Sequence, residues 1–371
     1  MGWNSWNAFG ATINEQVVRQ TADALVTSGL RDLGYTYVVL DDYWQGGRDT
    51  QGNLYPDPDR FPSGIPALSD YIHSQGLNVG IYSCAGTLTC GRQPGSHGYE
   101  QQDADRFAQW EIDFLKYDYC FAPVNLETAV ERYTKMGQAL QRTGRPMLYS
   151  ICEWGVRSPW LWAKQAGGHL WRVTHDLLDQ WDSPTNSRQG IGILTALDEM
   201  ARIEEYSGPG GWNDPDMLIV GLQGKGFIGG RGCTETEYRT QMTLWCLLAA
   251  PLMIGCDLRN LDQSTYEILA NPELIAINQD PLGWSGMRVV RRGVFEVWKK
   301  QLVEGKTAIA FLNRGDSEAQ IRVTPSDLAL NLNQGYRVRD SWTHQDLGKF
   351  REEFAIAILP HACHCLILSP D

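Results

Sequence analysis

Basic residues are the scarce class in this chain. It has 32 lysines and arginines against 44 aspartates and glutamates, for a formal charge of −12 and a pI near 5.1. That deficit excludes nucleic acid as a natural partner, because phosphate recognition wants a basic surface. No apolar run approaches the roughly 20 residues of a membrane-spanning helix, so no membrane partner is expected. No two cysteines stand in a Cys-x-x-Cys spacing, and the seven histidines include no His-x-His pair at a strand end. The residue pattern therefore offers no metal ligand set, and no cofactor is expected. The one dense cluster, HACHC at 361–365, runs into the strand pattern LILS, with no second cluster to complete four ligands. Internal repeats and low-complexity linkers are absent too, which predicts modules packed together rather than tethered. The opening MGWNSWNAFG has neither the charged nor the apolar region of a secretory signal, which leaves a cytoplasmic chain or one numbered from after a removed segment.

What is present is a globular composition, 43% hydrophobic and 20% charged, in 371 residues, enough for a barrel plus a second module. Apolar strand-like runs recur: YVVLDDYW (37–44), NVGIYSCAG (78–86), FLKYDYC (114–120), MLYSICEWG (147–155), LWRVTHD (170–176) and LMIGCDL (252–258). Amphipathic stretches such as 14–34 and 126–144 lie between them, each ending in glycine as helix C-caps tend to. Strand then helix, repeated, means a parallel sheet with crossover helices. MGWNSW (1–6) and GPGGWNDPDML (208–218) supply two more strand ends, and eight strands close a (β/α)8 TIM barrel, predicted over 1–278. From 279 to 371 the texture changes to FEVWKK, TAIAFLN, QIRVT, YRVRDSW, FAIAILP and CHCLILS with short turns between. That pattern predicts a C-terminal antiparallel β-sandwich.

FLKYDYC places Phe114, Lys116 and Asp118 on one face of its strand and Leu115 and Tyr117 on the other. By itself an amine and a carboxylate so placed read as a structural ion pair or a helix cap. Asp41, Asp42, Glu153, Asp176, Asp214 and Asp216 also stand at strand ends, however. Active sites of such barrels lie on that face, and carboxylates converging there repel unless a ligand or cation organises them. The 14 tryptophans read as core filler or as faces on which sugars stack.

With those strand ends in view, the chain resembles glycoside hydrolase family 27, which holds α-galactosidases and α-N-acetylgalactosaminidases. The resemblance runs in order through MGWNSW, LDDYW (40–44), GIYS (80–83), KYDYC (116–120), CEWG (152–155), WRVTHD (171–176), GPGGWNDPDM (208–217) and INQDPLG (277–283). It implies a retaining exo-α-galactosidase with a small-molecule α-galactoside as its partner, Asp118 as nucleophile and Asp176 as general acid/base. Lys116 is expected to keep Asp118 ionised, and a neighbouring carboxylate to raise the pKa of Asp176. The resemblance further implies that Asp41 and Asp42 hold the axial O4 and O6 of galactose and that Trp6 forms an aromatic wall. Tyr82, Arg172 and Asp216 are expected to line the ring, and Cys152 and Trp154 to fill the space beside the 2-hydroxyl. It implies a Cys90–Cys120 disulfide beside the substrate, with Cys90 in contact with it, and hence an oxidising, extracytoplasmic compartment. Asp214 is read as a support for the turn. A second family bridge is missing, both of its positions being occupied by other residues, Ala11 and Tyr43. Cys84 and Tyr119 are further departures. The alternatives are a β-L-arabinopyranosidase or other α-glycosidase of the family, and a non-catalytic sugar-binding barrel, which would be expected to have lost one of the two aspartates.

Overall fold

The computed structural model describes residues 1–331, 334–350 and 352–371. Eight parallel strands form one sheet: β1 (Gly2–Asn4), β2 (Tyr37–Val39), β3 (Asn78–Cys84), β4 (Phe114–Asp118), β5 (Leu148–Cys152), β6 (Leu170–Arg172), β7 (Trp212–Asp214) and β8 (Met253–Ile254). β8 pairs with β1, and beyond β7 the Leu218 amide donates to the Met253 carbonyl at 2.8 Å, closing the barrel.

The strands are shorter than their apolar runs suggest. β2 stops at Val39 and β6 at Arg172, so Asp41, Asp42 and Asp176 sit on the loops beyond. Those runs stay buried past the strand ends because the loops fold back over the barrel mouth, and burial is all that hydrophobicity reports. The helical stretch 14–34 is also two pieces. An Asn14-capped helix, α1 (Glu15–Thr27), is followed by a separate 3-10 turn, Arg31–Leu33, and it is this turn that Gly34 terminates with φ +105°. The second stretch is one helix, α2 (Leu126–Arg142), capped by Asn125, with Gly144 at φ +72° just beyond. The crossover from β5 to β6 has a single 3-10 turn (Pro159–Leu161) in place of a helix.

The second module is an antiparallel six-stranded sheet facing a two-stranded one, Ala319–Val323 with Phe354–Ile358. Two of the six strands, Met287–Arg292 and Gln345–Phe350, are absent from the apolar pattern. Their side chains are half-buried or exposed along most of their length, so edge pairing rather than burial makes them strands. Between the sheets lies a separate core that includes Val297, Phe311, Val338 and Leu366. The opposite face, with Trp298, Ala308, Cys363 and Cys365, joins the barrel's own core. HACHC is thus divided: its cysteines point into that interface while His364 lies on the other side of the strand. Lys300 fastens the join, its buried amine donating to the Ile277 carbonyl at 2.6 Å and the Cys246 carbonyl at 3.4 Å. These are the last turns of two helices, where a cation is favoured. No helix among the described residues is long and apolar enough to cross a membrane.

Candidate active site

The inner face of β4 climbs from grease to charge. Level neighbours in the parallel register are Gly80, Phe114 and Leu148, then Tyr82, Lys116 and Ser150, then Cys84, Asp118 and Cys152. Phe114 packs with Val39 and Leu170 into the lower plug of the barrel. Lys116 and Asp118 stand one and two layers higher and line a cavity of about 520 Å³ at the C-terminal face. Leu115 and Tyr117, on the outer face, join the core beneath the helices. Period-two alternation therefore separates the chemistry from the scaffold within five residues.

The carboxylates there are organised by cations and donors, not left to repel. Asp118 accepts from the Tyr82 hydroxyl and the Tyr119 amide, both at 2.8 Å. Lys116, expected to keep Asp118 ionised, donates to Asp41 at 2.6 Å, and Asn4 donates to the same oxygen at 2.8 Å. Asp41 lies two strands away on the loop after β2, and the lysine's length takes its amine to that loop. Burial pushes Asp118 up to about 7, while Lys116 and the Tyr82 hydrogen bond work to lower it. The lysine moderates the charge of Asp118 without setting it.

Asp176 departs from expectation in the opposite sense. Its partial burial raises it, but Arg172, Lys116 and the hydrogen bond from Arg172 outweigh that and hold it below the usual carboxylate range. Arg172 donates to Asp176 at 3.0 Å and pairs with Asp216 at 3.0 Å. The Asp176 side chain is 48% exposed, so water also favours its ionised form. A single proton shared by the two groups therefore rests on Asp118.

Of the other residues singled out from sequence, Trp6, Asp41, Tyr82, Cys90, Cys152, Trp154 and Arg172 line the cavity, but Asp42 and Asp216 do not. Asp42 is buried, its oxygens taken by the Tyr43 amide at 2.8 Å and the Gly91 amide at 2.7 Å. Asp216 holds the Leu177 amide and Arg172 from behind, its own amide donating to Asp214 at 2.9 Å. Cys90 and Cys120 form the disulfide, with Cα atoms 5.2 Å apart. Cys84 donates to the Cys120 carbonyl at 3.3 Å, beneath that bridge. Tyr43 stacks on Trp6, ring centroids 6.2 Å apart, so an aromatic contact holds the wall where the second bridge is missing. Glu153 is fully buried in an ion pair with Arg157, and Trp154, at φ +60°, stacks on His175.

Sequence reasoning missed Phe121, Val124, Arg157, His175 and Arg188, all lining the outer wall. They lie on loops, where no periodicity marks them. The i,i+4 pair of Glu153 and Arg157 was the one available signal. Tyr119, noted only as a departure, lines the cavity between Arg157, whose guanidinium lies 4.7 Å over its ring, and Tyr133, which stacks on it at 5.6 Å.

A barrel whose carboxylates converge on a pocket of sugar size, walled by tryptophan, has the parts that glycoside hydrolysis needs. The family model described as alpha galactosidase A matches residues 1–280, and that of the alpha galactosidase C-terminal beta sandwich domain matches 292–368. An alpha-galactosidase of Cyamopsis tetragonoloba is 46% identical over 373 residues, covering 100% of this chain and 86% of its own. The crystal structure of alpha-galactosidase I from Mortierella vinacea superposes with a TM-score of 0.94 at 36% identity, covering 99% of this chain and 96% of its own. A family 27 β-L-arabinopyranosidase from Geobacillus stearothermophilus, in complex with arabinose, gives a TM-score of 0.88 at 26% identity over 100% and 97% of the two chains. The chain belongs to the α-galactosidase family, glycoside hydrolase family 27.

Proposed function

We propose that this chain is a retaining exo-α-galactosidase that releases terminal α-D-galactosyl residues, with 1–278 as its catalytic barrel and 279–371 as a bracing sandwich. Asp118 attacks the anomeric carbon as the bond to the leaving oxygen breaks, and Asp176 gives that oxygen its proton. Asp176 then takes a proton from water, which attacks the glycosyl-enzyme and frees the sugar as the α-anomer. The observation that carries this reading is Asp118 on the pocket floor, aligned by Tyr82 and Tyr119, in one cavity with a half-exposed Asp176. Asp41, Lys116, Trp6, Tyr82 and Arg172 hold the ring, while Asp216 acts through Arg172 and Asp42 through the Tyr43 and Gly91 amides that it fixes. The Cys90–Cys120 bridge supports an oxidising, extracytoplasmic location. The test is a panel of aryl α- and β-galactosides and an aryl β-L-arabinopyranoside, with the released anomer followed by NMR. Cleavage of the α-galactoside with α-galactose first is expected; β-galactose first would mean inversion.

The protonation pattern sets a pH profile. The active pair holds one proton, which must be on Asp176 when the substrate reacts although it rests on Asp118 beforehand. Loss of that proton above about 7 should form the alkaline limb of kcat/KM, the limbs belonging to the pair. A drop of about sixteenfold between pH 7 and pH 8.5 is expected, since half of the pair has already lost the proton at pH 7. Constant kcat/KM to pH 9 would show that this proton is not required.

The wall beside the 2-hydroxyl is closed. Cys152 is buried with its sulfur 3.8 Å from Arg172, and Trp154 is held by its stack on His175. A 2-acetamido group would have to displace packed side chains, at about 1–3 kcal/mol, and would lose a hydrogen bond that strengthens in the transition state. The p-nitrophenyl α-galactoside is expected to exceed the α-N-acetylgalactosaminide at least about a hundredfold in kcat/KM, roughly 2.7 kcal/mol. Rates within about fivefold of each other would show an open wall.

A further inference from the structure

The loop that bears Asp176 is held from outside the barrel. It leaves β6 at Arg172, and its two limbs meet where the Ile191 amide donates to the Asp176 carbonyl at 2.9 Å and the Leu178 amide to the Ile191 carbonyl at 2.9 Å. At its turn, buried Asp179 accepts from the Gly224 amide at 2.7 Å, the Cys233 amide at 2.9 Å and the Tyr238 hydroxyl at 2.9 Å. Two residues on, the Trp181 ring stacks on His361, a residue of the β-sandwich, with centroids 4.7 Å apart and planes 19° apart. The Trp181 carbonyl in turn accepts from the Leu194 amide at 3.0 Å, three residues past Ile191.

His361 is itself fixed on every side. Its Nδ1 lies 2.7 Å from Glu237 and its Nε2 3.1 Å from Asp316, and its carbonyl accepts from the Thr240 hydroxyl at 2.7 Å. Its backbone sits at φ +58°, a conformation that non-glycine residues hold only where the surroundings impose it. Glu237 also closes the capping box with Thr234 at the start of the helix Glu235–Leu247, the helix that supplies Tyr238 to Asp179. Both anchors of the Asp176 loop thus converge on the first turn of one helix, and one of them passes through the second module.

We propose that His361 is a positioning residue for the hydrolytic reaction: through Trp181 it sets the loop that aims the Asp176 carboxyl at the leaving-group oxygen. The β-sandwich thereby takes part in the acid/base step without touching substrate. The proposal rests on Asp176 being the acid/base.

The readout is leaving-group dependence, because a misplaced acid handicaps only substrates that need its proton, whereas a partly unfolded enzyme loses all substrates equally. His361→Ala is expected to lower kcat/KM for phenyl α-galactoside at least about tenfold and for 2,4-dinitrophenyl α-galactoside less than about twofold, since small displacements of catalytic groups are costly. Trp181→Ala, on the barrel side of the contact, should do the same and serves if the first variant does not fold. Trp181→Phe, which keeps a ring against His361, should restore the phenyl substrate to within about threefold of wild type. Wild-type rates on the phenyl substrate, or equal losses on both substrates, in His361→Ala and Trp181→Ala would overturn the positioning role. Equal losses in Asp176→Asn would instead remove the acid/base assignment beneath it, so the two failures are distinguishable.

Discussion

Asp118→Asn is expected to lower kcat by at least about 10⁴-fold while raising the melting temperature at pH 8. The loss follows from replacing the attacking oxygen by an amide that cannot form the glycosyl-enzyme. The gain follows from burial. Asp118 is 5% exposed, and its carboxyl is pushed up to about 7 in the folded chain against 3.8 unperturbed. The sign is that of a raised acid. Below about 4 it is protonated folded and unfolded and contributes nothing; stability then falls as pH rises, until above 7 the full cost is present. That cost is on the order of 4 kcal/mol, and a neutral amide avoids most of it. The asparagine oxygen can still accept from the Tyr119 amide, and the Tyr82 hydroxyl can turn to accept from the new NH₂. Thermal unfolding of both proteins at pH 4.5 and pH 8 is the check, with most of the difference appearing at the higher pH. A variant less stable at pH 8 would mean that the carboxylate is a structural partner, not a strained functional group.

Asp176→Asn is expected to separate substrates by their leaving groups. Phenyl α-galactoside should slow by about 10²–10⁴, the typical contribution of a positioned acid, while the 2,4-dinitrophenyl glycoside, whose oxygen needs no proton, should begin its first step nearly normally. Its second step then stalls, because no base activates water. Azide needs no base and should restore turnover as α-galactosyl azide, attacking the face that water would use. Asp118→Gly with azide should give the β-azide instead, from the opposite face. The same azide anomer from both variants would collapse the two roles into one. The fold should tolerate Asp176→Asn, since Arg172 keeps its pair with Asp216 at 3.0 Å and the Asp176 side chain is half solvated.

The amino-acid sequence by itself determined the layers and the constellation. Alternating and continuous apolar runs spelled out a barrel then a sandwich, because burial periodicity is local and survives without knowledge of partners. FLKYDYC already had its chemistry on one face and its packing on the other, since the period of a strand is two wherever it sits. Only the tertiary structure decided which charge answers which. Lys116 is two residues from Asp118, yet its amine binds Asp41, 75 residues away. Arg172 reaches Asp216 as well as Asp176, and Asp42 gives its oxygens to backbone amides. Those choices depend on side-chain length and on which loops fold back over the mouth, and neither leaves a periodic trace. The direction of each carboxyl's pKa follows from them: buried Asp118 is lifted, while Asp176 is held down by a guanidinium and by water. The stack of Trp181 on His361 spans 180 residues and two modules, and only the packing of one module on the other could create it.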